Sequence, residues 1–283
     1  ITFYVSRFTQ NPTKSERPKI SLAFCATWGT ILFMSDETVW LEGSISVEAA
    51  LLGGCREVAA VYVQQADGRR HDRRLARLRQ LADKAGVPLQ LVDEAFIATR
   101  VSGQTHGGVV AAVGPRQFVS LAELIAGRER PFVVMLDGIE DPFNFGQALR
   151  SLYAAGAAGV VVRPRNWFTA AGVVARASAG VSEMMPIAIA ETAETAADFF
   201  RQAGLKIAAT SSQQAISLYE ADLRVPLFLL LGGEKRGITR SFMTQADLIL
   251  QIPYDQPNFQ HSLGVVASAA IVAFEVRRQR DHG

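Results

Sequence analysis

Hydrophobic and polar positions repeat in two patterns along the chain, and from about residue 39 they predict strands that alternate with helices. EVAAVYVQ, VPLQLVD and THGGVVAAV (105–113) contain short apolar runs typical of strands, and WLEG resembles the end of another strand. DRRLARLRQLADKAG repeats apolar residues at helical spacing and ends at Gly86, which indicates an amphipathic helix, and SISVEAALLGG indicates an earlier one. This alternation predicts a three-layer α/β domain of about 75 residues.

The alternation restarts at residue 132 and continues almost to the end of the chain. Predicted strands are PFVVMLD, GVVVRP, MPIAIA, KIAAT, PLFLLLG and LILQIP. Predicted helices are NFGQALRSLYAAG, TAAGVVARASAG, AADFFRQAG, RSFMTQAD and SLGVVASAAIVAFEVRRQR. Apolar strands that alternate with helices are typical of a mostly parallel sheet covered on both faces. Between the two units, SLAELIAGRERP (120–131) predicts a short helix in a linker.

Glycines or polar residues follow three of these strands, at residues 144–150, 232–237 and 252–264. Ligands of open parallel sheets gather at the carboxyl ends of strands, so we expect these segments to form one site. In EDPFNFGQALR, Pro142 suits a turn, Asn144 suits unusual backbone angles or a helix cap, and Gly146 permits a close approach. Arg150 has a guanidinium that can hold a phosphate, although a capped helix with a solvated arginine explains the same pattern.

The two later segments do not match common catalytic motifs. LLLGGEKRGIT fits neither GxGxxG nor GxxxxGK[ST], which argues against classical dinucleotide or nucleoside triphosphate binding. In IPYDQPNFQHSLG, Ser262 fits a helix cap, and a histidine such as His261 beside it is more often a surface residue than a catalytic one. No His, Cys or carboxylate spacing predicts a metal site, and no GxSxG elbow occurs.

Composition narrows the class of protein. With 283 residues, 49% of them hydrophobic and 20% charged, the chain is globular and fits one large or two medium domains. Its net charge of +2 does not by itself indicate a nucleic-acid partner. Cys25 and Cys55 are widely spaced, which predicts no disulfide framework and fits a reduced cytoplasm. No run reaches the roughly 18 apolar residues of a membrane span, and secretion is not expected.

One charged segment leaves two interpretations open. DGRRHDRRLARLR holds six arginines within thirteen residues. A solvated helical face explains this composition. An RNA-facing surface explains it equally well, because phosphate contacts come mainly from arginine and lysine.

Taken together, the three strand-end motifs resemble those of the SpoU/TrmH family of RNA ribose 2'-O-methyltransferases. LDGIEDPFNFGQALRS is similar to the first motif, LLLGGEKRGIT to the second, and IPYDQPNFQHSLGVVASAAIVAFE to the third. The resemblance covers roughly residues 40–278. It implies an unassigned extension (1–38), an RNA substrate-binding domain similar to ribosomal proteins (39–115), a linker (116–131) and a methyltransferase domain of the SPOUT type (132–283).

The resemblance also implies an α/β fold with a deep trefoil knot, a homodimer, and S-adenosyl-L-methionine held mostly by backbone groups. Five residues fall on cofactor positions: Thr210, Gly232, Gly233, Ile252 and Leu263. Four polar residues carry the catalytic role: Asn144, Arg150, Glu234 and Ser262.

The family proposal makes Arg150 the base that takes the proton of the ribose hydroxyl. Guanidinium hardly loses a proton in proteins, so clamping of a phosphate is its alternative role. Asn144 would orient the hydroxyl or the arginine, and Glu234 would order the second loop.

One position departs from the family pattern. The third motif usually has Ser-Leu-Asn, whereas this chain has Ser262-Leu263-Gly264 after a loop that looks longer than usual. Asn258 or His261 would have to supply the missing contact, or activity is weakened. Despite this departure, the resemblance predicts a 2'-O-methyltransferase of ribosomal RNA. Its alternatives are a transfer RNA methyltransferase and a non-catalytic RNA-binding protein that keeps the knotted scaffold.

Overall fold

Two β-sheets organise the chain in the computed structural model, which describes residues 38–66, 68–101, 106–164, 170–211, 215–233, 237–256, 258 and 261–281. The front sheet and its helices consist of β1 (Val39–Glu42), α1 (Ser44–Gly53), β2 (Val58–Gln64), α2 (Arg69–Ala85), β3 (Leu89–Val92), α3 (Glu94–Ala98) and β4 (Val109–Val113). The strand order is β1-β4-β2-β3, in which only β2 and β3 are parallel. The α/β alternation predicted for this unit is confirmed.

Helix α2 ends where its sequence predicts. Gly86 adopts a left-handed conformation with φ 68°, and its N–H donates to the carbonyl oxygen of Asp83, which is a glycine C-cap. The five-residue helix α3 was not predicted. Its start is nevertheless encoded locally, because the Asp93 side chain accepts the N–H of Phe96.

The second unit consists of the second sheet, whose strands lie within residues 132–251, and of the helices around it. Its elements are α4 (Leu121–Ile125), β5 (Phe132–Asp137), α5 (Pro142–Ala154), β6 (Gly159–Val162), α6 (Ala171–Ala177), a 3₁₀ turn (Val181–Glu183), β7 (Ile187–Ile189), α7 (Ala193–Gln202), β8 (Lys206–Thr210), β9 (Ile216–Ser217), β10 (Leu227–Gly232), α8 (Arg240–Gln245), β11 (Leu248–Gln251) and α9 (Val265–Asp281). The strand order is β7-β6-β5-β10-β8-β11-β9, and every pair of neighbouring strands is parallel.

Both faces of the second sheet are buried, as the apolar strands predict. On β5, Val134 and Leu136 belong to a core that also contains residues of α5 and α9. Val133 and Met135 belong to the core on the opposite face, together with residues of α7. Among the described helices, none combines the length and the apolar character that a membrane-spanning segment needs.

Two predicted helix caps are wrong. Helix α5 begins at Pro142, and the Asp141 side chain accepts the N–H of Phe143, so Asp141 and not Asn144 is the cap. Proline fits the first helical position because its missing N–H would have no partner there. Ser262 does not cap α9, which begins three residues later at Val265.

Gly146 permits a close approach, as predicted, and the neighbour is the backbone of α6. A Cβ at Gly146 would lie 2.7 Å from the Cβ of Ala177 and 2.9 Å from the carbonyl oxygen of Val174. The glycine therefore serves the packing of α5 against α6, which holds α5 in place after β5.

A buried ionic contact joins the front sheet to the second sheet. Arg56, which precedes β2, pairs with Glu183 of the 3₁₀ turn at 2.6 Å, and their side chains are 6% and 1% exposed. Arg116 donates to the carbonyl oxygens of Ser182 and Met185. Burial lowers the pKa of Arg116, and the Glu183 carboxylate opposes this shift. The predicted linker thus packs through its arginine against the 3₁₀ turn.

Candidate active site

A cavity of about 760 Å³ opens at the carboxyl ends of three adjacent strands, β10, β8 and β11. Its volume lies within the roughly 300–1,000 Å³ typical of small-ligand sites. The residues that line it include Thr210, Ser211, Gly232, Gly233, Gly237, Ile238, Ile252, Tyr254, His261, Ser262, Leu263, Gly264 and Ser268. These residues come from the ends of all three strands and from the segments that follow them.

Steric contacts explain the two glycines at the end of β10, Gly232 and Gly233. A Cβ at Gly232 would lie 2.8 Å from the Cγ1 atom of Ile238. A Cβ at Gly233 would overlap the backbone of Gly138, because it would come within 2.5 Å of the carbonyl carbon and closer still to its oxygen. Since Gly138 follows β5, the loops that carry the first and second motifs touch at this point.

The third motif is held by its own backbone and by a tyrosine. The Leu263 N–H donates to the Tyr254 hydroxyl at 3.1 Å, and the Leu263 carbonyl oxygen accepts from the Ser268 hydroxyl at 3.3 Å. The Ser268 N–H donates to the carbonyl oxygen of Gly264 at 3.0 Å. Tyr254 was missed in the sequence, where an aromatic residue inside a polar loop was the only signal.

Gly264 leaves open space in the cavity wall. A Cβ built on this glycine would meet no atom within 4 Å. The carbonyl of Gly264 accepts the N–H four residues on, so Gly264 stands directly before α9. The first atom of a side chain, such as the asparagine that the family motif usually has there, would therefore meet no protein atom.

The five residues expected at cofactor positions all line the cavity: Thr210, Gly232, Gly233, Ile252 and Leu263. Ser262 also lines it, together with His261. Glu234 lies outside the described residues. Of the two residues considered as substitutes for the missing amide, His261 is at the cavity, whereas Asn258 is not among the lining residues and is exposed.

Asn144 and Arg150 lie on α5 and are not among the cavity-lining residues. Asn144 is half-buried in the first turn, and Arg150 is exposed six residues, or about one and a half turns, further along the helix. Arg150 shares a helical face with the exposed residues Phe143 and Gln147, which lie seven and three positions before it. Its guanidinium thus faces outward from the α5 surface.

The carboxylate at the end of β5 forms an ion pair. Asp137 binds Arg163, which follows β6, through two contacts of 2.7 Å each. This bidentate pair connects the ends of neighbouring strands. Within the described residues, no cluster of three or more His, Cys, Asp or Glu side chains could hold a metal ion.

This arrangement defines the class of protein: an α/β protein with a glycine-lined ligand cavity at the carboxyl edge of a parallel sheet. Its polar lining includes the hydroxyls of Thr210, Ser211, Ser262 and Ser268, and two further lining residues, Gly232 and Gly233, have no side chain. Such a wall fits an organic cofactor that carries hydroxyl, amino and carboxylate groups better than a metal ion, which prefers carboxylate, imidazole or thiolate ligands. The residues present therefore fit S-adenosyl-L-methionine.

Comparison with known proteins gives the family. The model of the SpoU rRNA methylase family matches residues 131–274, and the model for RNA 2'-O ribose methyltransferase substrate binding matches residues 40–119. The chain belongs to the SpoU rRNA methylase family. The trefoil knot implied by the resemblance stays a prediction.

Relatives match over most of their length. The 23S rRNA (guanosine-2'-O-)-methyltransferase RlmB of Shewanella oneidensis is 30% identical over 241 residues, covering 84% of this chain and 96% of the relative. RlmB of Pseudomonas aeruginosa is 31% identical over 242 residues, covering 84% and 95%.

Solved structures share the fold. The SpoU methyltransferase AviRb of Streptomyces viridochromogenes superposes with a TM-score of 0.70 at 21% identity, covering 87% of this chain and 91% of that chain. An RNA 2'-O ribose methyltransferase superposes with a TM-score of 0.66 at 26% identity, covering 86% and 89%.

Proposed function

We propose that this chain is an S-adenosyl-L-methionine-dependent methyltransferase that methylates a ribose 2'-hydroxyl in ribosomal RNA. The observation that carries the proposal is the cavity at the ends of β8, β10 and β11, because all five expected cofactor residues line it in a chain of this family. The RlmB relatives are named as 23S rRNA guanosine-2'-O-methyltransferases, which supports a ribosomal substrate and the cytoplasm as its place of action.

The proposed cofactor site uses the backbone of the second and third motifs. Gly232 and Gly233 line the cavity on one side, and the backbone of Ile252 and of Leu263 supplies polar groups beside it. S-adenosyl-L-methionine would supply an electrophilic methyl group there. The chain must then hold the ribose hydroxyl in line with that methyl and exclude water from the reacting atoms.

In the proposed mechanism, residues of α5 handle the RNA. A ribose hydroxyl is a poor nucleophile, so its proton must be removed or its oxygen polarised. Arg150 is exposed, which suits a contact with an RNA phosphate that fixes the ribose, and Asn144 one turn and a half earlier would orient the hydroxyl. Ser262 at the cavity and Glu234 in the second loop complete the proposed polar set.

The proposed division of labour follows the two sheets. Residues 39–115 would bind the RNA, residues 116–131 would connect the units, and residues 132–283 would carry the transfer. The matched substrate-binding model over residues 40–119 supports this division. A transfer RNA substrate is the alternative, and the RNA that gains the methyl group decides between the two.

We also propose a homodimer. On α5 and α9, Phe143 is 53% exposed and Phe274 is 49% exposed, and a second copy packed on these helices would bury both side chains. Arg150 lies on the same α5 face as Phe143, so a second copy seated there would bring this arginine to a shared interface. Light scattering of the wild type and of Phe143→Asp with Phe274→Asp tests this: a monomeric wild type would contradict it.

The transfer of labelled methyl from S-adenosyl-L-methionine to ribosomal RNA tests the proposed function. The wild type should transfer the label, and Arg150→Ala should lose most of the transfer while it binds the cofactor with wild-type affinity. Arg128→Ala, which removes an exposed arginine of the linker, should transfer like the wild type. Full activity of Arg150→Ala would remove Arg150 from the mechanism.

A non-catalytic RNA-binding protein is the second candidate, and Gly264 is the observation that favours it. The position that usually carries an amide in the family has no side chain here. Calorimetric titration separates the candidates, since the scaffold would show no binding of S-adenosyl-L-methionine.

A further inference from the structure

Helix α2 has a larger net positive charge than the chain as a whole. Its 17 residues include seven basic and two acidic side chains, a net charge of +5. The whole chain has a net charge of only +2, so the remaining residues together carry a net charge of −3. A partner that is bound through its negative charge therefore finds its main attraction on this one helix.

Four of the seven basic side chains form one exposed stripe. Arg69, Arg73, Arg77 and Lys84 fall within about 80° of one another around the helix, since successive residues are separated by about 100°. All four are exposed. The buried residues of α2, which include Leu78, pack against the front sheet.

Most of this stripe has no acidic partner. Within the described residues, Arg77 lies 3.5 Å from Glu48 of α1, whereas Arg69, Arg73 and Lys84 form no ion pair. Like charges one helical turn apart repel each other. The stripe therefore destabilises helix α2 unless a bound anion neutralises it. Elsewhere, buried Arg56 and exposed Arg163 each have a carboxylate partner.

We infer that the α2 stripe, defined by Arg69, Arg73, Arg77 and Lys84, is the docking surface for the phosphate backbone of the substrate RNA. The inference rests on the proposed function and names the part of the front sheet that makes contact. A line of cations about 20 Å long complements the line of phosphates on an RNA strand. Contacts of this kind set affinity and position without reading base sequence.

The test measures RNA binding without cofactor, by fluorescence anisotropy of a labelled RNA duplex over a range of salt concentrations. The triple variant Arg69→Gln, Arg73→Gln and Lys84→Gln removes three charges, and glutamine keeps a similar helix propensity. Its plot of log affinity against log salt should be less steep than that of the wild type by about 2 to 3. At about 0.1 M salt its affinity should be lower by on the order of 100-fold.

Two control variants make the result specific. Arg69→Lys with Arg73→Lys keeps the charge and should keep the wild-type slope. Arg128→Gln, Arg130→Gln and Arg224→Gln remove three exposed arginine charges outside α2 and should change affinity by less than about threefold.

Three results would overturn the inference: a wild-type slope in the α2 triple variant, an equal loss in the control triple variant, or wild-type binding to anionic phospholipid vesicles but not to RNA. Because the assay contains no cofactor, failure of methyl transfer by the wild type would refute the proposed activity separately.

Discussion

Gly233→Ala tests whether the contact between the first and second motifs shapes the cavity. Gly233 lines the cavity after β10, and its Cα faces the backbone of Gly138 after β5. A methyl group there would lie 2.5 Å from the carbonyl carbon of Gly138, and neither neighbour is a side chain that could rotate away. The two loops would have to separate.

The size of the effect follows from this distance. Ordinary contacts begin at about 3.4 Å, so one loop must move by about 1 Å. A displacement of about 1 Å at a binding wall can cost about 100-fold in function. We therefore expect the Kd of S-adenosyl-L-methionine to rise by about 10- to 100-fold, which corresponds to about 1.4–2.7 kcal/mol.

Calorimetric titration of folded protein measures this Kd, and circular dichroism checks the fold. Gly264→Ala is the matched control for folding. Gly264 lines the same cavity, but a methyl group on it would have no protein atom within 4 Å. It should unfold at the wild-type temperature. Wild-type cofactor affinity in Gly233→Ala would refute the claim that this loop contact shapes the site.

Three further substitutions test other contacts. Glu183→Ala should lower stability by about 3–5 kcal/mol, because it leaves the buried Arg56 guanidinium without its carboxylate, and calorimetry should show a melting temperature lower by roughly 10 °C. Tyr254→Phe removes the acceptor of the Leu263 N–H, so hydrogen exchange at that amide should accelerate about fivefold. Asp141→Ala removes the cap of α5 and should cost about 1 kcal/mol in chemical denaturation.

Each of these substitutions has a control. Arg224→Ala breaks an exposed ion pair and should cost less than about 1 kcal/mol, and an equal cost for Glu183→Ala would contradict the buried contact. Tyr219→Phe changes another exposed tyrosine and should leave the exchange of the Leu263 amide unchanged. Asp141→Asn keeps a capping oxygen and should keep most of the stability.

The fold was predictable where the pattern was long and periodic. The parallel sheet was predicted from its apolar strands, and α2 from its helical spacing and Gly86. Helix α3 was missed because five residues give too short a period, although Asp93 marks its start. For Asn144 the sequence left open unusual backbone angles or a helix cap, whereas Pro142 at the first helical position places the cap at Asp141.

The site was predictable only in part, because its contacts join distant segments. The cofactor positions were taken from family resemblance, and the structure gathers them around one cavity. The steric need for Gly233 depends on Gly138, nearly a hundred residues earlier, so local sequence could not reveal it. The hydrogen bond from Leu263 to Tyr254 depends in the same way on how the loop closes.

The most direct test of the account is to map the methyl group that purified protein adds to 23S ribosomal RNA in the presence of S-adenosyl-L-methionine. Alkaline cleavage of RNA requires a free 2'-hydroxyl, so a 2'-O-methyl group leaves a protected position in the ladder of fragments. The account predicts one such position, which appears with the wild type and is lost with Arg150→Ala. A methyl group on a base, or no transfer by protein that binds the cofactor, would contradict it.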